Sequence, residues 1–342
     1  MNPGSRLIVA LLALAAGPAA AQEHGDLLQA PERVEWDAGG LYEGRLPDGT
    51  PFQVALAYPA PGGLPGEAGK IMANSWWFLR DYKGKAQELA VLEAAPGALH
   101  LAPLLDSGAQ GPQRFSIVLD ADGRGGKGSW TQAQGDQGLA FTLERLVRYR
   151  AVALSRPSPA AQAEGSDQPF VFAALFPVFR DQALDAWVRA MAGRCDADLE
   201  CTNRVAVRWH SKHQLSLDAS AWTYGYGAAH HQFRSEMRHY AMHDGAPVHT
   251  RFTAFVAPST ACRQQVSSAL VAKLGAQGLS WPEQGALGVF EEPKFIPLPR
   301  GIEFHWDPYE VGSFGQGLPS VFLTRAELGD CATHLPGLAS IR

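Results

Sequence analysis

Alternating apolar and polar positions dominate the first half of the chain. From residue 40 to residue 59, apolar side chains recur at every second position on both sides of the turn sequence Pro-Asp-Gly-Thr, a pattern typical of a β-hairpin. Similar short runs, separated by turn residues, continue to residue 146 without a convincing helical period. The pattern predicts about seven or eight antiparallel strands and an all-β N-terminal domain over residues 35–150, built as a barrel or a sandwich.

The second half of the chain mixes helical and strand-like patterns. Residues 151–168 are rich in Ala, Ser, Pro and Gln without an apolar period, which predicts a linker. Apolar residues then recur at helical spacing over residues 181–192 and 259–274, and a Ser-Thr pair at the start of the second segment is suited to cap a helix. Strand-like runs surround both helices, so we expect an α+β domain over residues 169–342.

Residues 1–21 have the three-part pattern of a secretory signal peptide. Arg6 precedes an apolar run from Leu7 to about Ala16, and small residues lead to a predicted cleavage site after Ala21. The apolar run is shorter than the ~20 residues of a membrane-spanning helix, and no later stretch is apolar enough to span a membrane. We expect a periplasmic or secreted protein with no membrane span after cleavage.

Charge and cysteine content refine this picture. The net charge of −5 and the pI near 6.1 give no basic signature for nucleic-acid binding. The chain has four cysteines, and an even number in an oxidising compartment indicates disulfides. Among the possible pairings we favour Cys195–Cys201, because a short loop closes easily, with Cys262–Cys331 tying the second helix to the C-terminal tail. The alternative, a four-thiolate zinc site, normally uses close cysteine pairs that this spacing lacks.

The sequence contains no complete catalytic motif. A serine nucleophile elbow, a phosphate-binding glycine loop and an EF-hand calcium loop are each missing. His230, His231, His239 and His243 are close in sequence, but residues four apart on a strand are separated by about 13 Å, too far to share one ion unaided. We therefore interpret these histidines as exposed strand residues, and we predict no catalytic residue, no metal and no cofactor.

Two segments carry a family resemblance. Residues 215–248 read LSLDASAWTYGYGAAHHQFRSEMRHYAMHDGAPV, and residues 301–328 read GIEFHWDPYEVGSFGQGLPSVFLTRAEL. In this order, with a helix between them, they resemble the C-terminal domain shared by the anti-sigma factor RsiV and the peptidoglycan deacetylase PdaC. The resemblance covers roughly residues 168–342, and its matching residues are Gly227, Ala228, Ala229, His230, Pro308, Tyr309, Glu310 and Gly317.

The resemblance implies a cell-envelope domain that binds a lysozyme-like protein or a peptidoglycan fragment, with Tyr226, His230, Tyr309 and Glu310 as binding residues. It does not extend to signalling or deacetylation, because we identify neither a sigma-binding segment nor a deacetylase domain in this sequence. A structural role is also open for the second segment, in which Pro308 sets a turn, Tyr309 buries its ring and Glu310 accepts hydrogen bonds that lock the turn.

The leading expectation is therefore an exported, non-enzymatic binding protein, and two alternatives stay open. One is an envelope hydrolase, with or without a metal, in which His230, Tyr309 and Glu310 converge. The other is a small-ligand carrier in which the N-terminal barrel encloses an apolar pocket lined by Trp76, Trp77 or Trp130.

Overall fold

A single thirteen-stranded sheet contains most of the strands in the part of the chain that the structure describes. The structure is a computed structural model, and it describes residues 32–45, 51–56, 76–80, 85–95, 98–103, 110–133, 136–157, 171–195, 199–225, 228–244, 246–279, 290–291, 293–298 and 300–335. The predicted signal peptide, the predicted turn at residues 47–50 and the candidate binding residue Tyr226 lie outside these ranges.

The first eight strands form an antiparallel meander. Each strand pairs with the next in sequence, and β1 also pairs with β8, so the meander returns to its starting strand. The strands are β1 (Glu32–Arg45), β2 (Pro51–Leu56), β3 (Trp76–Arg80), β4 (Lys85–Ala95), β5 (Ala98–Pro103), β6 (Arg114–Leu119), β7 (Gly125–Thr131) and β8 (Leu139–Pro157).

One face of this meander forms an apolar cluster. Alternate residues of each strand point to the same face, which places the inward positions of several strands together. Trp130 belongs to the cluster and stacks on Phe115 at a centroid distance of 6.4 Å. The side chains of Trp76 and Trp77 lie outside the description. The buried members are Tyr42, Phe52, Val54, Leu56, Leu89, Leu99, Leu101, Phe115, Ile117, Trp130, Phe141 and Leu143.

The sheet continues past the meander without a break. β8 pairs with β9 over residues 150–157, and β9 pairs in parallel with β10. Helix α1 (Gln182–Ala192) provides the connection that parallel neighbours require. The continuing strands are β9 (Val171–Val178), β10 (Leu199–His210), β11 (Gln214–Gly225), β12 (Gln232–His243) and β13 (Ala246–Thr250).

The predicted linker at residues 151–168 is wrong over its first part. Residues 151–157 belong to β8 and pair with β9, and most of them also pair with β1. Val152 and Leu154 are fully buried at alternate positions, a period of two that the surrounding Ala, Ser and Pro residues conceal in the sequence. Residues 158–168 lie outside the description.

A second, three-stranded antiparallel sheet packs with helix α2 (Thr260–Ala276). Ser259 caps α2 by accepting the backbone N–H of Cys262 at 3.2 Å, which confirms the predicted helix start. The strands are β14 (Lys294–Leu298), β15 (Gly301–His305) and β16 (Ser320–Thr324), followed by a short helix α3 (Arg325–Leu328).

Both predicted disulfides are present. Cys195 is bonded to Cys201, and Cys262 in α2 is bonded to Cys331 near the C-terminal end of the described chain. The described molecule is thus mostly β-structure with few helices and two covalent links. Among its described helices, none combines the length and apolar character needed to cross a membrane.

Candidate functional site

The two segments that carry the family resemblance meet in space. Ser235 on β12 donates its hydroxyl to Asp307 Oδ1 at 2.6 Å, and its backbone N–H donates to Asp307 Oδ2 at 3.3 Å. The Tyr309 hydroxyl lies 2.9 Å from His230 Nε2. Side chains more than 70 residues apart in sequence therefore form one surface where the β11–β12 hairpin faces the segment that follows β15.

The segment after β15 contains a four-residue turn with an unusual residue at its third position. The backbone N–H of Glu310 donates to the carbonyl of Asp307 at 3.2 Å, with Pro308 and Tyr309 between them. Tyr309 has a φ of +71°, a region that favours glycine and costs other residues roughly 1–2 kcal/mol. Its side chain is 64% exposed, so the expectation of a buried Tyr309 ring is wrong.

Glu310 stabilises this turn. Its carboxylate accepts the backbone N–H of Asp307 at 2.6 Å, and both of its oxygens lie 3.1 Å from Lys294 Nζ. Lys294 also lies 2.6 Å from Asp307 Oδ2. The hydrogen bond that we expected Glu310 to accept is present, and these contacts direct its carboxylate toward Lys294 and the turn backbone.

His230 contacts the hairpin backbone, the turn and the segment that follows the turn. Its Nδ1 lies 2.9 Å from the carbonyl of His231, and because a carbonyl only accepts, Nδ1 carries the proton. In the neutral ring Nε2 is then the acceptor for the hydroxyl of Tyr309. The ring also stacks on Phe314 at a centroid distance of 4.2 Å and an interplanar angle of 22°.

Further aromatic residues, none of which was predicted to be a binding residue, extend this surface along the hairpin. Trp222 is paired with Phe233 across the strands, with ring centroids 4.6 Å apart. Tyr224 on β11 and His231, the residue before β12, have ring centroids 4.9 Å apart. Residues two apart on a strand share a face. The two-residue spacing of Trp222 and Tyr224, and of His231 and Phe233, could therefore have predicted that these rings lie on one face of the hairpin.

A buried cluster of charged side chains lies on the face of the β11–β12 hairpin that packs against the second sheet. Arg208 on β10 lies 3.0 Å from Asp218 on β11 and 3.5 Å from Glu303 on β15, and all three side chains are buried. Asp218 shares a strand face with Trp222, four residues further along β11. The cluster therefore joins the large sheet to the small sheet and fixes the position of the hairpin relative to the turn.

His239 is buried, contrary to its prediction as an exposed strand residue. Its Nδ1 lies 3.0 Å from the hydroxyl of Ser216, and its ring lies 4.1 Å from that of Phe295 on β14. The pKa of His239 is lowered to about 3, mainly by burial and further by nearby His249, while a hydrogen bond with the Phe295 backbone opposes the shift. The prediction failed because the second sheet, far along the chain, covers this face of β12.

No group of three or more His, Cys, Asp or Glu side chains within the described ranges is arranged to hold a metal ion. His243, one of the four clustered histidines, is exposed as predicted, whereas His230 is partly buried against the turn. Of the four predicted binding residues, the structure brings His230 and Tyr309 into contact, and Glu310 supports the same turn. Tyr226 lies outside the described residues.

Comparisons with known proteins give structural likenesses only. No protein-family model matches this sequence, and no curated protein matches it. A crystal structure of a DUF3298 family protein from Pseudomonas aeruginosa PAO1 has 14% identity and a TM-score of 0.38, covering 54% of this chain and 94% of that one. A DUF3298 family member from Bacteroides fragilis NCTC 9343 has 9% identity and a TM-score of 0.41, covering 57% and 96%.

Proposed function

We propose that this chain is an exported, non-enzymatic cell-envelope protein that binds a lysozyme-like enzyme or a peptidoglycan fragment. In this proposal residues 35–150 form an all-β domain and residues 169–342 form a domain of the RsiV and PdaC type, which carries the binding surface. The N-terminal signal pattern and the two disulfides support an oxidising compartment outside the cytoplasm.

The observation that carries the proposal is the conformation of Tyr309. A tyrosine at a φ of +71° costs folding free energy that glycine would avoid, yet its ring is mostly exposed and adds little burial in return. An exposed aromatic ring held in a strained turn is better suited to contact a partner than to stabilise the fold, since aromatic residues dominate the energetics of interfaces.

The surroundings of Tyr309 favour binding over catalysis. Both Glu310 oxygens contact Lys294, and one also accepts the turn backbone N–H, which leaves this carboxylate engaged in structural contacts. The His230 ring is held between Tyr309, Phe314 and a backbone carbonyl. Side chains held in place in this way are pre-organised for recognition.

Calorimetric titration of the mature protein with lysozyme and with soluble muropeptides tests this proposal. We expect binding of at least one of them, and we expect Tyr309→Gly to weaken it at least tenfold while the variant remains folded. Val118→Ala, at a residue that is 59% exposed on β6, is the matched control and should bind as the unmodified protein does.

Three outcomes would contradict the proposal. The first is that neither lysozyme nor muropeptides bind. The second is that Tyr309→Gly binds with unchanged affinity, which would exclude this surface as the binding site. The third is that the protein degrades peptidoglycan and that His230→Ala abolishes this activity, which would establish the hydrolase alternative.

A further inference from the structure

The hydrogen bond between Tyr309 and His230 has a direction that depends on the charge of His230. Nδ1 of the ring donates to the carbonyl of His231 at 2.9 Å, so in the neutral ring Nε2 accepts from the Tyr309 hydroxyl, also at 2.9 Å. A protonated ring has an N–H group at both nitrogens and accepts at neither. Nε2 then donates to the Tyr309 oxygen, and the hydroxyl proton of Tyr309 turns away from the ring. Protonation therefore reverses this hydrogen bond.

The contacts around His230 hold its ring in the same place in both charge states. The donation from Nδ1 to the His231 carbonyl is possible whether or not Nε2 is protonated. The ring also stacks on Phe314, with centroids 4.2 Å apart, and an aromatic face attracts a cation. Residues 311–320, which include Phe314, have no titratable side chain. Protonation thus changes the direction of the hydrogen bond without requiring His230 or the turn to move.

The Tyr309 hydroxyl is placed to contact a partner as well as His230. Tyr309 is 64% exposed, and a hydroxyl has one donor and two acceptor lone pairs. While Tyr309 donates to the neutral ring, its hydroxyl is only an acceptor toward a partner. Once the ring is protonated, the hydroxyl proton points outward, so a partner group that donated to the oxygen now meets a second donor.

The charges beside Tyr309 favour a partner that donates. Lys294 contacts both Asp307 and Glu310, so one positive charge is shared by two negative charges and one negative charge is left over. The whole chain also has a net charge of −5. An acceptor hydroxyl next to excess negative charge suits the N–H groups of a basic side chain. Protonation of His230 cancels the excess charge at the same time as it reverses the hydrogen bond.

Two further titratable side chains of the hairpin lie close to His230 in sequence. The ring of His231 packs on that of Tyr224. Arg234 alternates on β12 with Ser235, the residue that contacts the turn, so its side chain belongs to the opposite face of the strand. Neither of them contacts the Tyr309 hydroxyl, which leaves His230 as the group that determines its direction.

We infer that His230 is a pH-sensitive switch, through which this surface binds a basic side chain of a partner protein at neutral pH and releases it in acid; this inference rests on the proposed binding function. Histidine side chains ordinarily change charge between pH 5 and pH 8. Above this range the Tyr309 hydroxyl accepts from the partner. Below it, two donors face each other and the excess negative charge is gone, so the partner is released.

Calorimetric titration with lysozyme at pH 7.5 and pH 5.0 tests this inference, and the quantity compared is the ratio of the two affinities. We expect stronger binding at pH 7.5. Because other histidines also gain charge over this interval, the ratio is compared with that of His230→Gln, whose amide does not titrate. The unmodified protein should have a ratio at least about fivefold larger, since an unpaired polar group at an interface is costly. His243→Gln, at an exposed position on β12, is the control and should keep the full ratio.

Tyr309→Phe gives a second comparison, which also serves if His230→Gln does not fold. This variant keeps the aromatic ring and removes the hydroxyl that changes direction. We expect weaker lysozyme binding at pH 7.5 and a ratio of affinities close to that of His230→Gln.

Heteronuclear NMR of the His230 ring tests the switch without a partner. We expect the proton on Nδ1 at pH 7.5 and protons on both nitrogens in acid. A neutral ring with its proton on Nε2, or a ring that stays neutral at pH 5.0, would overturn the inference.

The outcomes separate the switch from the binding proposal. Lysozyme binding that depends on Tyr309, with equal ratios in the unmodified protein, His230→Gln and Tyr309→Phe, would overturn the switch and leave the proposed function intact. Binding of muropeptides without binding of lysozyme would do the same, because the switch requires a basic protein partner. Absence of binding to either class would contradict the proposed function itself.

Discussion

At the scale of single residues, Tyr309 is unusual because it is a tyrosine with a positive φ. The third position of its turn calls for a positive φ, which glycine adopts at little cost. Tyrosine at this position has to be stabilised by the rest of the turn, through the Glu310–Asp307 hydrogen bonds and the Lys294 contacts. We therefore expect folding to favour glycine at this position and binding to favour tyrosine.

The free energy of unfolding of a Tyr309→Gly variant measures the cost of this backbone conformation. We expect Tyr309→Gly to raise the free energy of unfolding by about 0.5–1 kcal/mol, because removal of the strain outweighs the greater freedom of glycine in the unfolded chain. Urea unfolding gives the value. Tyr309→Ala, which keeps the strain and removes the ring, should not gain stability, and a loss above 1 kcal/mol in Tyr309→Gly would contradict this account.

His239 predicts a pH dependence of stability. Its pKa is about 3 in the folded protein and near 6.5 in an unfolded chain. Between these values the unfolded state binds the proton and the folded state does not. The contribution of His239 to the free energy of unfolding is therefore fully present above pH 6.5 and is lost as the pH falls toward 3, by up to roughly 5 kcal/mol.

Unfolding by urea at pH 7 and pH 4.5 tests the role of His239. We expect His239→Gln, which keeps a polar group beside Ser216, to show a smaller loss of stability between the two pH values than the unmodified protein. Partial dependence should remain, because burial also lowers the pKa of His210 to about 4. The exposed residue His243 offers a control, since His243→Gln should keep the full dependence. If His239→Gln and the unmodified protein lose the same stability between the two pH values, the pH dependence does not come from His239.

At the scale of elements, local sequence patterns were sufficient to predict the features that depend on residues close together in the chain. The strand alternation, the helix at α1, the Ser259 cap and the Cys195–Cys201 pair were all predicted from short windows, and Cys262–Cys331 then followed as the remaining pair of cysteines. The burial of His239 was not predictable, because it depends on contact with β14, more than 50 residues away. The same holds for the strand at residues 151–157, whose two pairing partners lie elsewhere in the chain.

The two disulfides should contribute unequally to stability. Cys262–Cys331 closes a loop of 69 residues and Cys195–Cys201 closes one of 6. The loop-entropy model assigns them about 4 and about 2 kcal/mol. We therefore expect replacement of both cysteines by alanine to lower the unfolding free energy more for the first pair than for the second. Chemical denaturation of the two double variants provides the comparison, and the reverse order would contradict the loop-length argument.

At the scale of the whole molecule, the Arg208 cluster connects the two sheets beneath the binding surface. Arg208→Leu would remove the guanidinium that contacts both buried carboxylates, Asp218 and Glu303. We expect a loss of about 3–5 kcal/mol, measured by denaturant unfolding. The exposed pair Arg124–Asp122 gives the contrast, since Arg124→Leu should change stability by less than about 1 kcal/mol. A small effect at Arg208 would mean that the sheets are held together mainly by apolar packing.

The length of β8 has a mechanical consequence. Its 19 residues extend for roughly 60 Å if straight, and they are hydrogen-bonded to β7, β1 and β9 in turn. The β1–β8 ladder shifts register at two places along β8, near Leu146 and Arg150, and irregularities of this kind are where a strand bends. A pull on the hairpin by a bound partner would therefore reach the β1–β8 meander through the sheet, and β8 would yield first at these two places.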